Sequence, residues 1–246
     1  MMERHIFTIE SNDLVATLTK RLELTADDPQ LLVPGEFVDI EIEGYFLRRP
    51  ISICDRRPGH ITLIYKLVGQ GTAEMAKMVP GQKLDILTGL GRGFDPDACR
   101  EEALLVAGGL GAAPLYLLCK ELKAQGKKVT VVLGFNHKDE IVLEDEYKAI
   151  CDSFAIATLD GSVGYRGFVT DAIAAIKPSF DYFYTCGPMV MMKAVCGTLE
   201  GDGEASLEER MGCGAGFCYG CSCHTKGGTR RICKDGPVFK KEDILW

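Results

Sequence analysis

Four cysteines near the C-terminal end of the sequence, Cys213, Cys218, Cys221 and Cys233, follow the spacing C-x4-C-x2-C-x11-C. Thiolates so spaced suit a 2Fe-2S cluster, in which three sulfurs come from one tight loop and the fourth arrives from a separate segment. A centre of this kind carries electrons one at a time. Gly212, Gly214, Gly216 and Gly220 let the loop turn sharply and bring backbone N–H groups to the sulfurs. Zinc is the competing reading of a C-x2-C pair, but tetrahedral zinc motifs usually show two separated pairs of cysteine or histidine. Here Cys218 and Cys221 make one pair and Cys213 stands alone. Cys223 and His224 fall outside the spacing and are expected to be a non-ligand and a solvated loop residue.

Four further motifs precede the cysteines. Arg49-Pro50-Ile51-Ser52 places a guanidinium and a hydroxyl on one side of a strand edge, a combination that suits a phosphate or the edge of a flavin ring; by itself it reads equally as a surface arginine beside a turn. Gly69-Gln70-Gly71-Thr72 follows the apolar run Ile64-Tyr65-Lys66 and opens a helical stretch over Ala73–Met78, so backbone N–H groups there can face a pyrophosphate, or Thr72 can simply cap the helix. Gly108-Gly109-Leu110-Gly111-Ala112-Ala113-Pro114 reads G-x-G-x-x-P where dinucleotide folds have G-x-G-x-x-G. Thr185-Cys186-Gly187-Pro188 puts a thiol and a flexible glycine at the end of a strand.

The elements that must hold these motifs change character along the chain. From His5 to Thr88, short β-type runs at Val15–Thr19, Phe37–Ile42, Ile61–Lys66 and Lys83–Leu87 suggest an antiparallel barrel. After a break at Gly91–Asp97, strands at Leu104–Ala107, Val129–Leu133, Phe154–Leu159 and Tyr182–Thr185 alternate with helices such as Leu115–Gln125 and Glu144–Cys151. That alternation implies a parallel sheet covered by helices, with ligands at the carboxyl ends of its strands. The expected division is a β-barrel over 1–94, an α/β domain over 95–203 and a cluster-binding subdomain over 204–246. A net charge of −7 speaks against a general nucleic-acid partner. Eleven cysteines without an apolar leader in Met1–Lys20 point to a reducing cytoplasm. The uncharged run Ala103–Cys119 contains three glycines and a proline and is shorter than the roughly 20 residues of a membrane span.

In this order, a barrel with R-P-I-S and G-Q-G-T followed by a sheet with G-G-L-G-A-A-P and C-G-P, the chain resembles the ferredoxin-NADP reductase superfamily. With the C-terminal cysteines and the segments Glu209–Gly214 and Cys233–Phe239, it is similar to the electron transfer subunits of NAD-dependent dihydroorotate dehydrogenase over essentially its full length. The resemblance implies that the barrel holds FAD through Arg49, Pro50, Ile51, Ser52, Ile64, Tyr65, Lys66, Gly71 and Thr72. It also makes Cys213, Cys218, Cys221 and Cys233 the cluster ligands, the x11 gap before Cys233 being short for the family. Gly109 and Gly111 would lie near the phosphates of NAD, and Cys186, Gly187 and Pro188 near its nicotinamide. NAD rather than NADP is expected because Gly134-Phe135-Asn136-His137-Lys138 has no arginine for a 2′-phosphate. No catalytic base is evident. The implied partner is an FMN-containing catalytic subunit that oxidises dihydroorotate to orotate in pyrimidine (UMP) biosynthesis, in a heterotetramer of two plus two, with neither nucleic acid nor membrane involved. Two other readings share these features: a flavin and iron-sulfur subunit of a sulfide dehydrogenase, hydrogenase or anaerobic sulfite reductase complex, and a non-catalytic scaffold with a structural cluster.

Overall fold

The structure is a computed structural model and describes residues 2–26 and 32–246. Among its N-terminal strands, the middle of the first, the second and the sixth alternate inward apolar with more exposed residues, as a half-buried strand requires. The N-terminal strands are β1 (Glu3–Ala16), β2 (Thr19–Thr25), β3 (Phe37–Ile40), β4 (Arg49–Arg57), β5 (His60–Lys66) and β6 (Lys83–Leu90). All pair antiparallel and close into a barrel in the order β1-β2-β5-β4-β3-β6, so no long edge is left unpaired. Phe7, Ile9, Leu22, Leu24, Ile40, Ile53, Leu63 and Ile86 fill it.

Two local expectations shift. Val15–Thr19 is not one strand but the end of β1, a two-residue turn and the first residue of β2: Ala16 pairs with Thr19, and Leu18 takes φ +52°. The apolar Val15 and Leu18 are exposed, so hydrophobicity misreads a turn there. The short helix α1 runs Gln70–Met75, starting before Ala73. Thr72 reaches back to the start of its own turn and fixes the helix that early.

The second unit interleaves β7 (Glu102–Gly108), α2 (Ala112–Ala124), β8 (Lys128–Phe135), α3 (Glu144–Ile150), β9 (Ser153–Thr158), β10 (Tyr165–Arg166), α4 (Val169–Ile176), β11 (Tyr182–Cys186), α5 (Met189–Thr198) and β12 (Gly203–Ser206). The C-terminal segment adds the hairpin β13 (Ser222–Thr225) and β14 (Gly228–Arg231), a turn of helix α6 (Ile232–Asp235) and β15 (Val238–Lys240). The sheet order is β10-β9-β8-β7-β11-β12-β15, parallel except for β15. The chain leaves β7 for β8 on one side and later returns to β11 on the other, so the topological switch lies between the ends of β7 and β11. The expected boundary at residue 203 falls within β12, and β15 extends the same sheet. Ala103–Cys119 is β7, the glycine turn and most of α2, and among the described residues no helix is long and apolar enough to cross a membrane.

Barrel and sheet meet along α2. Its Leu115, Leu118 and Leu122 pack with the sheet, while Leu117 joins the barrel core. At the rim, Lys120 pairs with Asp55 at 2.7 Å and Glu121 with Arg56 at 2.7 Å. Such half-exposed pairs contribute at most about 1 kcal/mol each; the apolar contact holds the units together and the charges set their register.

Candidate redox site

β4 and β5 carry Arg49–Ser52 and Ile64–Lys66 to the rim of the barrel that faces the sheet. There they line a cleft of about 380 Å³ together with Thr72, with Leu110, Ala113, Pro114 and Cys186 from the switch point, and with Ser206–Glu209, Met211 and Pro237 from the C-terminal segment. Arg49 and Gly71, drawn from two separate motifs, meet directly. A Cβ on Gly71 would lie 2.0 Å from Arg49 Nε, so the guanidinium occupies the space that a side chain at position 71 would take. Arg49 also stacks on the Tyr45 ring at 4.9 Å and donates to the carbonyls of Leu47 and Arg48. Thr72 Oγ1 accepts from the N–H groups of Val68 (3.0 Å) and Gly69 (3.2 Å), so its hydroxyl closes the helix start. The Tyr65 side chain is turned into the barrel, 1% exposed, with its hydroxyl donating to Asn12 Oδ1 at 2.9 Å. Burial pushes that phenol up to about 12, and it stays neutral.

Two glycine-bearing turns interlock at the switch point. A Cβ on Gly111 would lie 2.1 Å from the Cys186 carbonyl oxygen, and one on Gly187, at φ +147°, would lie 2.8 Å from the Gly108 nitrogen. Gly111 is therefore a packing residue. Gly109, at φ +54° with open space above it, lines a second cleft of about 360 Å³ with Gly108, Gly134–Asn136, Glu140, Phe168, Pro188 and Met191. Cys186 lies on the barrel side of this divide. Burial raises its thiol far above the ordinary range, with the nearby Glu208 adding to the effect. Glu140 bridges the two clefts: it accepts from Lys66 Nζ at 2.8 Å and Asn136 Nδ2 at 2.8 Å, and the Lys66 hydrogen bond first of all holds its carboxyl below the usual range. Nothing in the local sequence marked Glu140 for that place, since its partner is 74 residues away.

The cysteine loop lies beside the first cleft. Cys213 Sγ accepts from the N–H groups of Phe217 (3.2 Å) and Cys218 (3.4 Å), Cys218 Sγ from Gly220 (3.4 Å), and Cys221 Sγ from Cys233 (3.4 Å). Burial opposes ionisation of Cys213, but the N–H groups of Ala215, Cys218 and Phe217 outweigh it and lower the thiol. The thiols come in neighbouring pairs, Cys213 with Cys218 and Cys221 with Cys233. Two pairs, each ringed by N–H donors, fit a two-iron core with two thiolates to each iron. Among the described residues no three His, Cys, Asp or Glu side chains converge as a single-ion site. The x11 gap is taken up by the β13–β14 hairpin, which returns Ile232 N to the Cys221 carbonyl at 3.0 Å. Arg231 fastens the return by donating to Gly216 O (2.8 Å) and by stacking on Tyr219 (4.7 Å). Cys223 sits in the hairpin opposite Arg230, packed against the core and apart from these sulfur contacts. Cys221 and Cys233 are buried, whereas Cys218, Phe217 and Tyr219 are exposed, so the site has a protein side and a solvent side.

Residues 208–245 match the family model described as the iron-sulfur cluster binding domain of dihydroorotate dehydrogenase B, and residues 105–197 match the oxidoreductase NAD-binding domain. The dihydroorotate dehydrogenase B (NAD(+)) electron transfer subunit of Fusobacterium nucleatum is 42% identical, covering 96% of this chain and 96% of that protein. Its counterpart in Geobacillus kaustophilus is 40% identical over 100% of both. Among solved structures, one of an NADH-dependent reduced ferredoxin-NADP oxidoreductase, from work on flavin-based electron bifurcation, superposes with a TM-score of 0.89 at 30% identity, covering 98% of this chain and 90% of that one. The Amycolatopsis cytochrome P450 reductase GcoB shares the fold with a TM-score of 0.68 at 21% identity, covering 78% of this chain and 64% of that one.

Proposed function

The chain belongs to the family of electron transfer subunits of NAD-dependent dihydroorotate dehydrogenase B, and on that premise we propose that it carries electrons from the FMN of a dihydroorotate-oxidising catalytic subunit, through a 2Fe-2S cluster and FAD, to NAD. The physiological setting is pyrimidine (UMP) biosynthesis, in an assembly of two chains of each kind. The observation that carries the reading is contiguity: a thiol loop, a barrel-side cleft and a nucleotide-side cleft adjoin in that order within one chain.

When bound, FAD exchanges electron pairs with a nicotinamide and single electrons with the cluster, which makes it the converter between the two. The chain's own residues supply placement. Arg49, fixed by Tyr45 and by the space at Gly71, offers a cofactor phosphate a charge-assisted donor. Pro50, Ile51, Ser52, Ile64 and Lys66 line the wall beside it. Gly109 presents bare main chain to a dinucleotide, and Gly111 and Gly187 bring the two turns close enough for the clefts to share one wall. Cys186 remains a neutral thiol there and adds no charge between the clefts. Pro188 opens α5 under the nucleotide cleft. The segment Gly134–Lys138 offers no arginine to a 2′-phosphate, which favours NAD over NADP. Cys213, Cys218, Cys221 and Cys233 hold the cluster.

A second reading, a subunit of a different flavin and iron-sulfur redox complex, draws support from the solved relative at a TM-score of 0.89, whose name specifies another acceptor. The purified chain tests the shared core. NADH should bleach its flavin absorbance and drive an artificial electron acceptor, while dihydroorotate alone should do neither. Dihydroorotate oxidation by the isolated chain, or a flavin indifferent to NADH, would overturn the proposed division of labour.

A further inference from the structure

Asp39 is the one acidic residue of β3, whose four residues Phe37–Ile40 are all buried. It is 3% exposed, and its Oδ1 has no hydrogen-bond partner among the described residues. Burying a carboxylate without full pairing is costly, so a fold that keeps one there calls for a reason. The adjacent arginines do not supply it. Arg48 donates to the carboxylates of Glu41 (2.7 Å) and Asp85 (2.9 Å) and meets only the main-chain carbonyl of Asp39, at 3.3 Å. Arg49 is turned toward Tyr45 and Gly71. Burial pushes the Asp39 carboxyl up to about 6, with Arg48 and Arg49 pulling the other way, so at pH 8 it is predominantly ionised.

What the carboxylate does face is the cysteine loop. A Cβ on Gly214 would lie 2.3 Å from Asp39 Oδ2, and Gly214 holds φ +62°, a conformation side-chain-bearing residues seldom adopt. Gly214 directly follows Cys213. Through the barrel, Asp39 also sits in register with Pro50 of the flavin cleft. One carboxylate thus stands between the cleft wall and the loop.

We propose that Asp39 is a positioning residue of the electron path: it seats the cysteine loop at Gly214 and, as a fixed negative group, makes the neighbouring cluster harder to reduce. The inference rests on the cluster reading given above. The physical ground is that cluster potentials respond to net charge, hydrogen bonding to the sulfurs and exposure, and that charge–charge coupling strengthens away from water. A cluster made harder to reduce passes its electron on to the flavin more readily.

Asp39→Asn keeps the shape and removes the charge. The experiment is an anaerobic redox titration at pH 8 of the native chain and D39N, following the paramagnetic signal of the reduced cluster, with iron and FAD counted per chain. The expected result is a more positive cluster midpoint in D39N. An unchanged or more negative midpoint in a D39N chain replete in iron and FAD overturns the proposal. Should D39N hold no cluster, Gly214→Ala in the otherwise native chain takes its place. Its Cβ would press on Asp39 and should halve the iron content or alter the paramagnetic signal, whereas native iron and signal in G214A overturn the proposal. A native chain without iron would defeat the cluster reading itself, before any variant is compared.

Discussion

Cys218 and Cys223 carry the same thiol in different surroundings, and that difference decides their roles. Cys218 is exposed and accepts the Gly220 N–H within the turn that gathers the loop sulfurs, while Cys223 is held in a hairpin against the core. A serine oxygen is a harder and poorer ligand for iron than thiolate sulfur. Cys218→Ser should therefore abolish the cluster absorbance and the reduced-state paramagnetic signal, and Cys223→Ser should retain both. The reverse pattern would reassign the ligands. At this scale the cysteine spacing was readable because ligand geometry constrains sequence directly. The inward turn of the Tyr65 side chain was not, because the direction of a side chain depends on which face of β5 becomes the inside of the barrel. Asp39 left only a faint trace, one acid within an apolar strand, and its neighbour Gly214 is remote in sequence.

β12 shows what an element adds. It lies between β11 and the antiparallel β15, tying the cysteine-bearing segment to the nucleotide sheet, and it carries the buried Glu204. Burial raises that carboxyl to about 7, although the Asp95 N–H it accepts at 3.0 Å pulls it down. In the unfolded chain the group titrates near 4.3. Between these values the folded state holds more protons than the unfolded one, so stability falls as pH rises from about 4 to 7, and the full penalty remains above. Glu204→Gln should stabilise the protein more at pH 8 than at pH 5, by roughly 2–3 kcal/mol. Thermal unfolding at both pH values checks this, and equal effects at the two would contradict it. The barrel strands β3, β5 and β6 and the main strands of the sheet were legible from their apolar runs, whereas β1, β2 and β4 carry too many polar residues between their inward ones to be read as strands. β13 and β14, four mostly polar residues each, pair only with one another, and the three-residue β15 owes its place to β12, remote in sequence, while the exposed apolar Val15 and Leu18 made the end of β1 and the turn after it read as one strand.

Across the whole molecule, the order of parts matches an order of electron carriers. The nucleotide cleft opens at the switch point of the sheet, the barrel-side cleft adjoins it through the Cys186–Gly187 turn, and the cysteine loop adjoins that cleft through Met211, Asp39 and Gly214. The solvent side of the loop, with Cys218, Phe217 and Tyr219 exposed, is the face open to the partner subunit proposed above. The most direct measurement is NAD reduction by dihydroorotate in the chain reconstituted with its FMN-bearing catalytic subunit, comparing the native chain with Cys218→Ser. Coupling in the native pair and its loss in the cluster-less pair is the result this account predicts. An undiminished rate without the cluster, or no coupling in the intact pair, would contradict it.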